Sequence, residues 1–212
     1  MQQIYLDNAA TTPVRPEVEE VMQPYFCEKY GNPSGIYKMA SECRQALETV
    51  RKQIGKTLKV SAEEIYFTSG GTESDNWAIK STAQRLKEKG KHIITSKIEH
   101  HAVLNSCAYL ETQGFEVTYL DVDEWGCVRF DALQRAIRKD TILISIMYAN
   151  NEVGTIQPIG QIGKIAKEND IFFHTDAVQA YGQIPIDVKR ENIHLLSASA
   201  HKFNGPKGVG FL

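Results

Sequence analysis

The chain has 212 residues, 42% apolar and 24% charged, with 24 basic and 26 acidic side chains and a formal charge of −2. That balance predicts an ordinary globular protein with one sizeable core and argues against a broad basic face for nucleic acid. No apolar run approaches the roughly 18 residues of a membrane span, and the start Met1-Gln2-Gln3-Ile4-Tyr5-Leu6-Asp7 lacks the basic and apolar regions of a signal peptide. A cytosolic address is the expectation. Cys27, Cys43, Cys107 and Cys127 form no C-x-x-C pair, which predicts reduced, structural thiols.

Val18, Val21, Met22 and Tyr25 fall at helical spacing, as do Met39, Cys43, Leu47, Val50, Ile54 and Leu58. Gly55-Lys56-Thr57 has the ending of a phosphate-binding P-loop, but the glycine that motif needs five places earlier is Val50. The tripeptide also lies inside the amphipathic pattern. Ser61 and Glu64 have capping-box spacing, yet the strand-like Ile65-Tyr66-Phe67-Thr68 follows at once, so a turn is expected there. Residues 72–89 read as a helix with Glu73 and Asp75 in its first turn. Further helices are expected over 100–113, 131–138 and 159–169. Short apolar runs recur at His92–Ser96, Glu116–Leu120, Ile142–Met147, Ile171–Asp176, His194–Ala198 and Val209–Leu212. With Ile65–Thr68 they make seven candidate strands. Strands alternating with helices predict an α/β fold whose mainly parallel sheet has helices on both faces. The last run follows its predecessor after only a Gly/Pro-rich loop, too short for a crossover helix, so it is expected to run antiparallel. Val209-Gly210-Phe211-Leu212 reads as the start of a buried strand, and a chain cut inside a domain is the expectation.

Four polar segments stand where strands end, the edge at which open α/β sheets bind ligands. Thr68-Ser69-Gly70-Gly71-Thr72-Glu73-Ser74 joins a strand to a helix through two glycines, which suits a phosphate at the helix N-terminus or a plain glycine turn with a threonine cap. Ile98-Glu99-His100-His101-Ala102 offers a histidine to stack on a flat ligand or move protons, or simply a surface pair; neighbouring histidines on a helix do not share a metal easily. In Phe172-Phe173-His174-Thr175-Asp176-Ala177-Val178-Gln179, Asp176 ends an apolar strand, where it can face a protonated ring nitrogen or cap a helix. Ser197-Ala198-Ser199-Ala200-His201-Lys202 places a lysine among hydroxyls, as an amine nucleophile or an ordinary loop lysine. Taken together, a phosphate cup, a ring stacker, a ring-nitrogen carboxylate and a Schiff-base lysine are the parts that pyridoxal phosphate requires.

At this point the chain resembles a known family. Tyr5-Leu6-Asp7-Asn8-Ala9-Ala10-Thr11-Thr12-Pro13, Gly31-Asn32-Pro33-Ser34, Phe67–Asn76, Glu99-His100-His101-Ala102-Val103, Asn150-Asn151-Glu152-Val153-Gly154 and Ser199–Gly208 look like motifs of the cysteine desulfurases of aminotransferase class V, fold type I. Tyr37 departs from the histidine that many members carry. The resemblance implies a fold type I large domain over 16–212. It also implies an N-terminal segment, 1–15, that joins a small C-terminal domain lying outside the chain. It assigns Lys202 to carry pyridoxal 5'-phosphate and move the substrate proton, and His100 to stack on the ring and share in proton transfer. Asp176 is assigned to the ring nitrogen, Asn151 and Gln179 to the ring hydroxyl side, and Gly71, Thr72, Ser199 and His201 to the phosphate. The implied reaction converts L-cysteine to L-alanine with a protein persulfide that feeds an iron–sulfur scaffold or another sulfur acceptor, in a homodimer. The nucleophilic cysteine and the substrate-binding arginine are expected beyond residue 212, none of the four cysteines matches that position, and these 212 residues alone are expected to be inactive. The alternatives are a selenocysteine lyase or aminotransferase of the same class, or a non-catalytic cofactor-binding or dimerisation module. No metal, nucleic acid or membrane partner is expected.

Overall fold

Seven strands line up in one sheet in the order β1-β7-β6-β5-β4-β2-β3, in a computed structural model that describes residues 4–212. Residues 1–3 of the expected N-terminal segment lie outside the described residues. In chain order the elements are α1 (Pro16–Met22), α2 (Pro24–Cys27), α3 (Lys38–Leu58), β1 (Phe67–Thr68), α4 (Gly71–Leu86), β2 (His92–Ser96), α5 (His101–Thr112) and β3 (Glu116–Leu120). Then follow α6 (Phe130–Ala136), β4 (Thr141–Ser145), α7 (Ile159–Glu168), β5 (Phe172–Asp176), β6 (Leu195–Ser199) and β7 (Gly210–Phe211). Strands β2 to β6 pair in parallel, while β7 runs antiparallel to both β6 and β1. This is the expected seven-stranded, mainly parallel sheet with one antiparallel strand. No helix among the described residues is long and apolar enough to cross a membrane.

Alternation along the strands sends side chains to two cores. Ile93 and Leu143 pack with Ile79 and Ala83 of α4 and with Val103, Cys107 and Leu110 of α5. Ile94, Ile144 and Phe173 face the other way, onto Leu133 of α6 and Ile162, Ile165 and Ala166 of α7. Burying both faces explains why these strands read as continuous apolar runs. Gly55-Lys56-Thr57 lies within α3, as the failed P-loop spacing implied. Ser61 and Glu64 form their capping box on a single 3-10 turn, Ala62–Glu64, with the Ser61 N–H donating to the Glu64 carboxylate at 2.8 Å.

Two predicted strands end differently. In the run Ile142–Met147 the regular strand ends at Ser145; beyond it Ile146 and Tyr148 still donate their N–H groups to the His174 and Asp176 carbonyls of β5, while the Met147 N–H donates to the Glu99 carboxylate at 2.9 Å. The run Ile65–Thr68 forms a strand only at Phe67 and Thr68, with Tyr66 extending the pairing through two 2.8 Å backbone bonds to Leu212. Residues 9–13 are strapped across the top of the sheet. Thr12 donates its N–H and its hydroxyl to the His201 carbonyl, both at 2.8 Å, and its hydroxyl accepts the Asn204 N–H at 2.8 Å.

Candidate active site

A cavity of about 480 Å³ opens at the carboxyl ends of the strands. Gly70, on an adjoining depression, has φ 151° and ψ −176°, a conformation essentially confined to glycine. That turn starts α4, whose first-turn amides have no intrahelical acceptor. Gly71 and Thr72 bring them to the cavity wall. Glu73 reaches back to take the Ser69 N–H at 2.6 Å, and the Thr68 hydroxyl accepts the Gly70 N–H at 3.4 Å and bonds Ser74 Oγ at 2.8 Å, so a threonine does secure the glycine turn while Thr72 makes no cap. Across from them stand Ser199 at the end of β6 and His201 in the 3-10 turn Ala200–Lys202. Lys207 lines the adjoining depression with Thr72, Ser199 and His201. Backbone amides, two hydroxyls and a nearby ammonium are a donor set for a phosphate.

Lys202 reaches into the same cavity. Its Nζ donates to the carbonyls of Ala9 and of Ala10, the latter at 3.0 Å. Burial lowers its pKa, against the opposing pull of Asp176 and Asp7. A lysine so shifted carries its free amine closer to neutral pH, which is what nucleophilic addition to a carbonyl needs. Asp176 is 5% exposed. Burial raises its pKa, while the hydrogen bond from the Val178 N–H and the nearby His100 and Lys202 pull it down. That bond, at 2.9 Å, closes a turn rather than a helix, so the helix-cap reading of Asp176 is corrected.

His100 is the N-cap of α5, where its Nδ1 accepts the Ala102 N–H at 3.1 Å. Accepting there leaves the proton of the neutral ring on Nε2. His100 lines the cavity and His101 does not, so the pair divides. Gln179 lines the wall with its amide nitrogen on the Ala9 carbonyl at 2.8 Å. Asn151, also on the wall, turns its amide to Glu152 at 2.8 Å. All nine residues singled out in the sequence therefore surround one space. None of the four cysteines lines it; Cys107 is buried under α5 with its thiol pushed up to about 12.

Five contributors escaped the sequence reading. Asp7, Ala9 and Ala10 arrive from the far end of the chain through the strap, and no local signal announces that. Asp75 lies one turn into α4 and is 1% exposed, with its Oδ1 lacking a hydrogen-bond partner. Its place one helical turn beyond Gly71 was the available clue. Glu99 sits beneath His100, accepting from Ser96 Oγ at 2.5 Å and from the Met147 N–H.

Comparison with known proteins was made against this geometry. The family model for aminotransferase class V matches residues 4–212. A cysteine desulfurase IscS of Methanosarcina thermophila is 64% identical over 209 residues, covering 99% of this chain and 52% of its own length. That of Dictyoglomus turgidum is 60% identical, covering 100% of this chain and 54% of its own length. Among solved structures, a NifS-like protein superposes with a TM-score of 0.96 at 44% identity, covering 99% of this chain and 58% of that one. A structure described as SspA in complex with cysteine gives a TM-score of 0.96 at 45% identity, covering 99% of this chain and 60% of that one. The chain thus spans about half the length of the curated relatives it matches.

Proposed function

The chain belongs to the aminotransferase class-V family, and on that premise we propose that the protein is a pyridoxal-phosphate-dependent cysteine desulfurase whose cofactor cup is the 480 Å³ cavity. The observation that carries this reading is the meeting of Lys202, Asp176, His100 and the α4 N-terminus on one space. The donor set fits the cofactor. The Gly71 and Thr72 amides with Ser199, His201 and the Thr72 hydroxyl would hold the phosphate. Asp176 would hold the ring nitrogen, His100 a ring face, and Asn151 and Gln179 the hydroxyl side. Bound there, pyridoxal phosphate supplies an electron sink for charge built up at the substrate α-carbon.

The chain's own residues have separate tasks. Lys202 would supply the amine that holds the cofactor, and its lowered pKa suits the free amine to act as a base. The Ala9 and Ala10 carbonyls accept from that Nζ and hold it in the cavity. His100 keeps Nδ1 occupied by the Ala102 N–H, so its ring proton stands on Nε2, the atom free to donate. Asp176 keeps a negative charge at the floor of the cavity. None of Cys27, Cys43, Cys107 or Cys127 reaches the cavity, so the thiol that takes the substrate sulfur is none of these. The division at residue 15, a homodimer, a sulfur-acceptor protein and a cytosolic address belong to the same reading. Exposed Leu6, Phe26, Tyr30 and Ile36 supply apolar surface for an interface.

The test is to load the intact protein with pyridoxal phosphate and supply L-cysteine with a thiol reductant. Alanine and sulfide released one to one support the reading. Transamination without sulfide would make it an aminotransferase, and turnover restricted to selenocysteine would make it a lyase of that substrate.

A further inference from the structure

The face of the sheet beneath α4 is polar where an apolar core is expected. His174 and Asp176 lie two residues apart on β5 and so share that face. The His174 ring is fully buried between two serines, Nδ1 to Ser145 Oγ at 2.8 Å and Nε2 to Ser197 Oγ at 3.0 Å. Over this row α4 lowers Asp75, whose Oδ1 stops 3.6 Å from His174 Nε2, beyond hydrogen-bond reach. Burial holds the His174 ring neutral, its pKa pushed down to about 3, so the contact is no ion pair. Asp75 lines the same cavity as Asp176. Two carboxylates so buried, with no cation between them, cannot both ionise without a large cost.

We propose that Asp75 and Asp176, two carboxyls buried on the wall of one cavity, carry a single negative charge between them, with the proton on Asp75 and the charge on Asp176, so that Asp75 is a positioning residue for the charge on the cavity floor. The placement follows from unequal surroundings. Asp176 has the Val178 N–H at 2.9 Å and faces His100 and Lys202, all of which favour its charge. Asp75 has an orphaned oxygen, a neutral histidine and the Ser197 hydroxyl. Burial first, and the charge of Asp176 second, raise the pKa of Asp75, against a hydrogen bond with Ser197. Glu99 is the remaining acid facing the pair; it is anchored by Ser96 and the Met147 N–H rather than by either aspartate. The use of this charge toward a ring nitrogen rests on the proposed cofactor reading, whereas the pair itself belongs to the cofactor-free protein.

Infrared spectroscopy of the intact, cofactor-free protein reads protonated carboxyls through their carbonyl stretch, apart from the carboxylate bands. At neutral pH the wild type shows buried-acid absorption; Asp75→Asn loses one component and Glu99→Gln a different one. In Asp176→Asn, which leaves Asp75 in place should its own variant fail to fold, the Asp75 band titrates lower by about one pH unit or more, because the like charge is gone. An Asp75→Asn spectrum that keeps every acid band, or an Asp75 midpoint unmoved in Asp176→Asn, overturns the pair. Retention of the pair in a protein that takes up no pyridoxal phosphate would uphold this inference and sink the cofactor reading instead.

Discussion

Glu99 precedes His100 and is 5% exposed. Burial pushes its carboxyl up to about 8, against the hydrogen bonds from Ser96 and Met147. The folded protein therefore holds a proton there that the unfolded chain has already lost above its ordinary pKa of about 4.5. Stability from this group is full at acid pH and falls as pH rises from about 4.5 to 8, by at most about 1.4 kcal/mol per unit. Glu99→Gln should flatten that slope in denaturant titrations run across the window; an unchanged slope would mean that Glu99 is ionised in the fold. At Asp176 the charge itself is the point. Asp176→Asn should leave phosphate-anchored cofactor binding in place but slow exchange of the substrate α-proton with solvent by at least about tenfold, equivalent to roughly 1.4 kcal/mol. Exchange at the wild-type rate would remove Asp176 from its assigned role.

The elements were legible where one physical signal dominated. Helices α3 and α7 carry strong apolar periodicity, and the expected spans of these two and of α4 and α5 differ from the observed ones by a few residues at most. The strands were visible because both faces of the sheet are covered. What those runs concealed was the polar row. Ser145, His174 and Ser197 sit inside segments that read as apolar, and only cross-strand register brings them together beneath Asp75. The short antiparallel β7 was legible from its tight loop, but the closeness of its packing was not. A Cβ on Gly210 would sit 2.5 Å from the Ala198 carbonyl oxygen and 2.7 Å from the Gly70 Cα. Both neighbours are backbone, so Gly210→Ala should cost about 1–3 kcal/mol or more by thermal melting. Gly70→Ala should cost about 1–3 kcal/mol through its strained φ alone. Melting temperatures equal to wild type in both variants would show that this turn can relax.

Across the whole molecule, the site depends on contacts between opposite ends of the chain. Thr12 and His201 are 189 positions apart, and their two bonds fasten the strap to the lysine turn. The buried Thr12 hydroxyl bonds both the His201 carbonyl and the Asn204 N–H; in Thr12→Ala the carbonyl keeps the backbone N–H of residue 12, but the Asn204 N–H loses its partner, at a cost of about 1–3 kcal/mol. Faster loss of bound cofactor on dilution is the expected consequence, and an unchanged loss rate would mean the strap is dispensable. Sequence motifs singled out nine residues that line the cavity; the strap, which no periodicity encodes, is what the fold adds. The central claim is that Lys202 holds pyridoxal phosphate in this cavity. It is tested most directly by reducing the cofactor-loaded intact protein with borohydride and locating the modified peptide by mass spectrometry. The account predicts a single pyridoxyl adduct on Lys202 that disappears in Lys202→Ala. An adduct on another lysine, or none in the wild type, would contradict it.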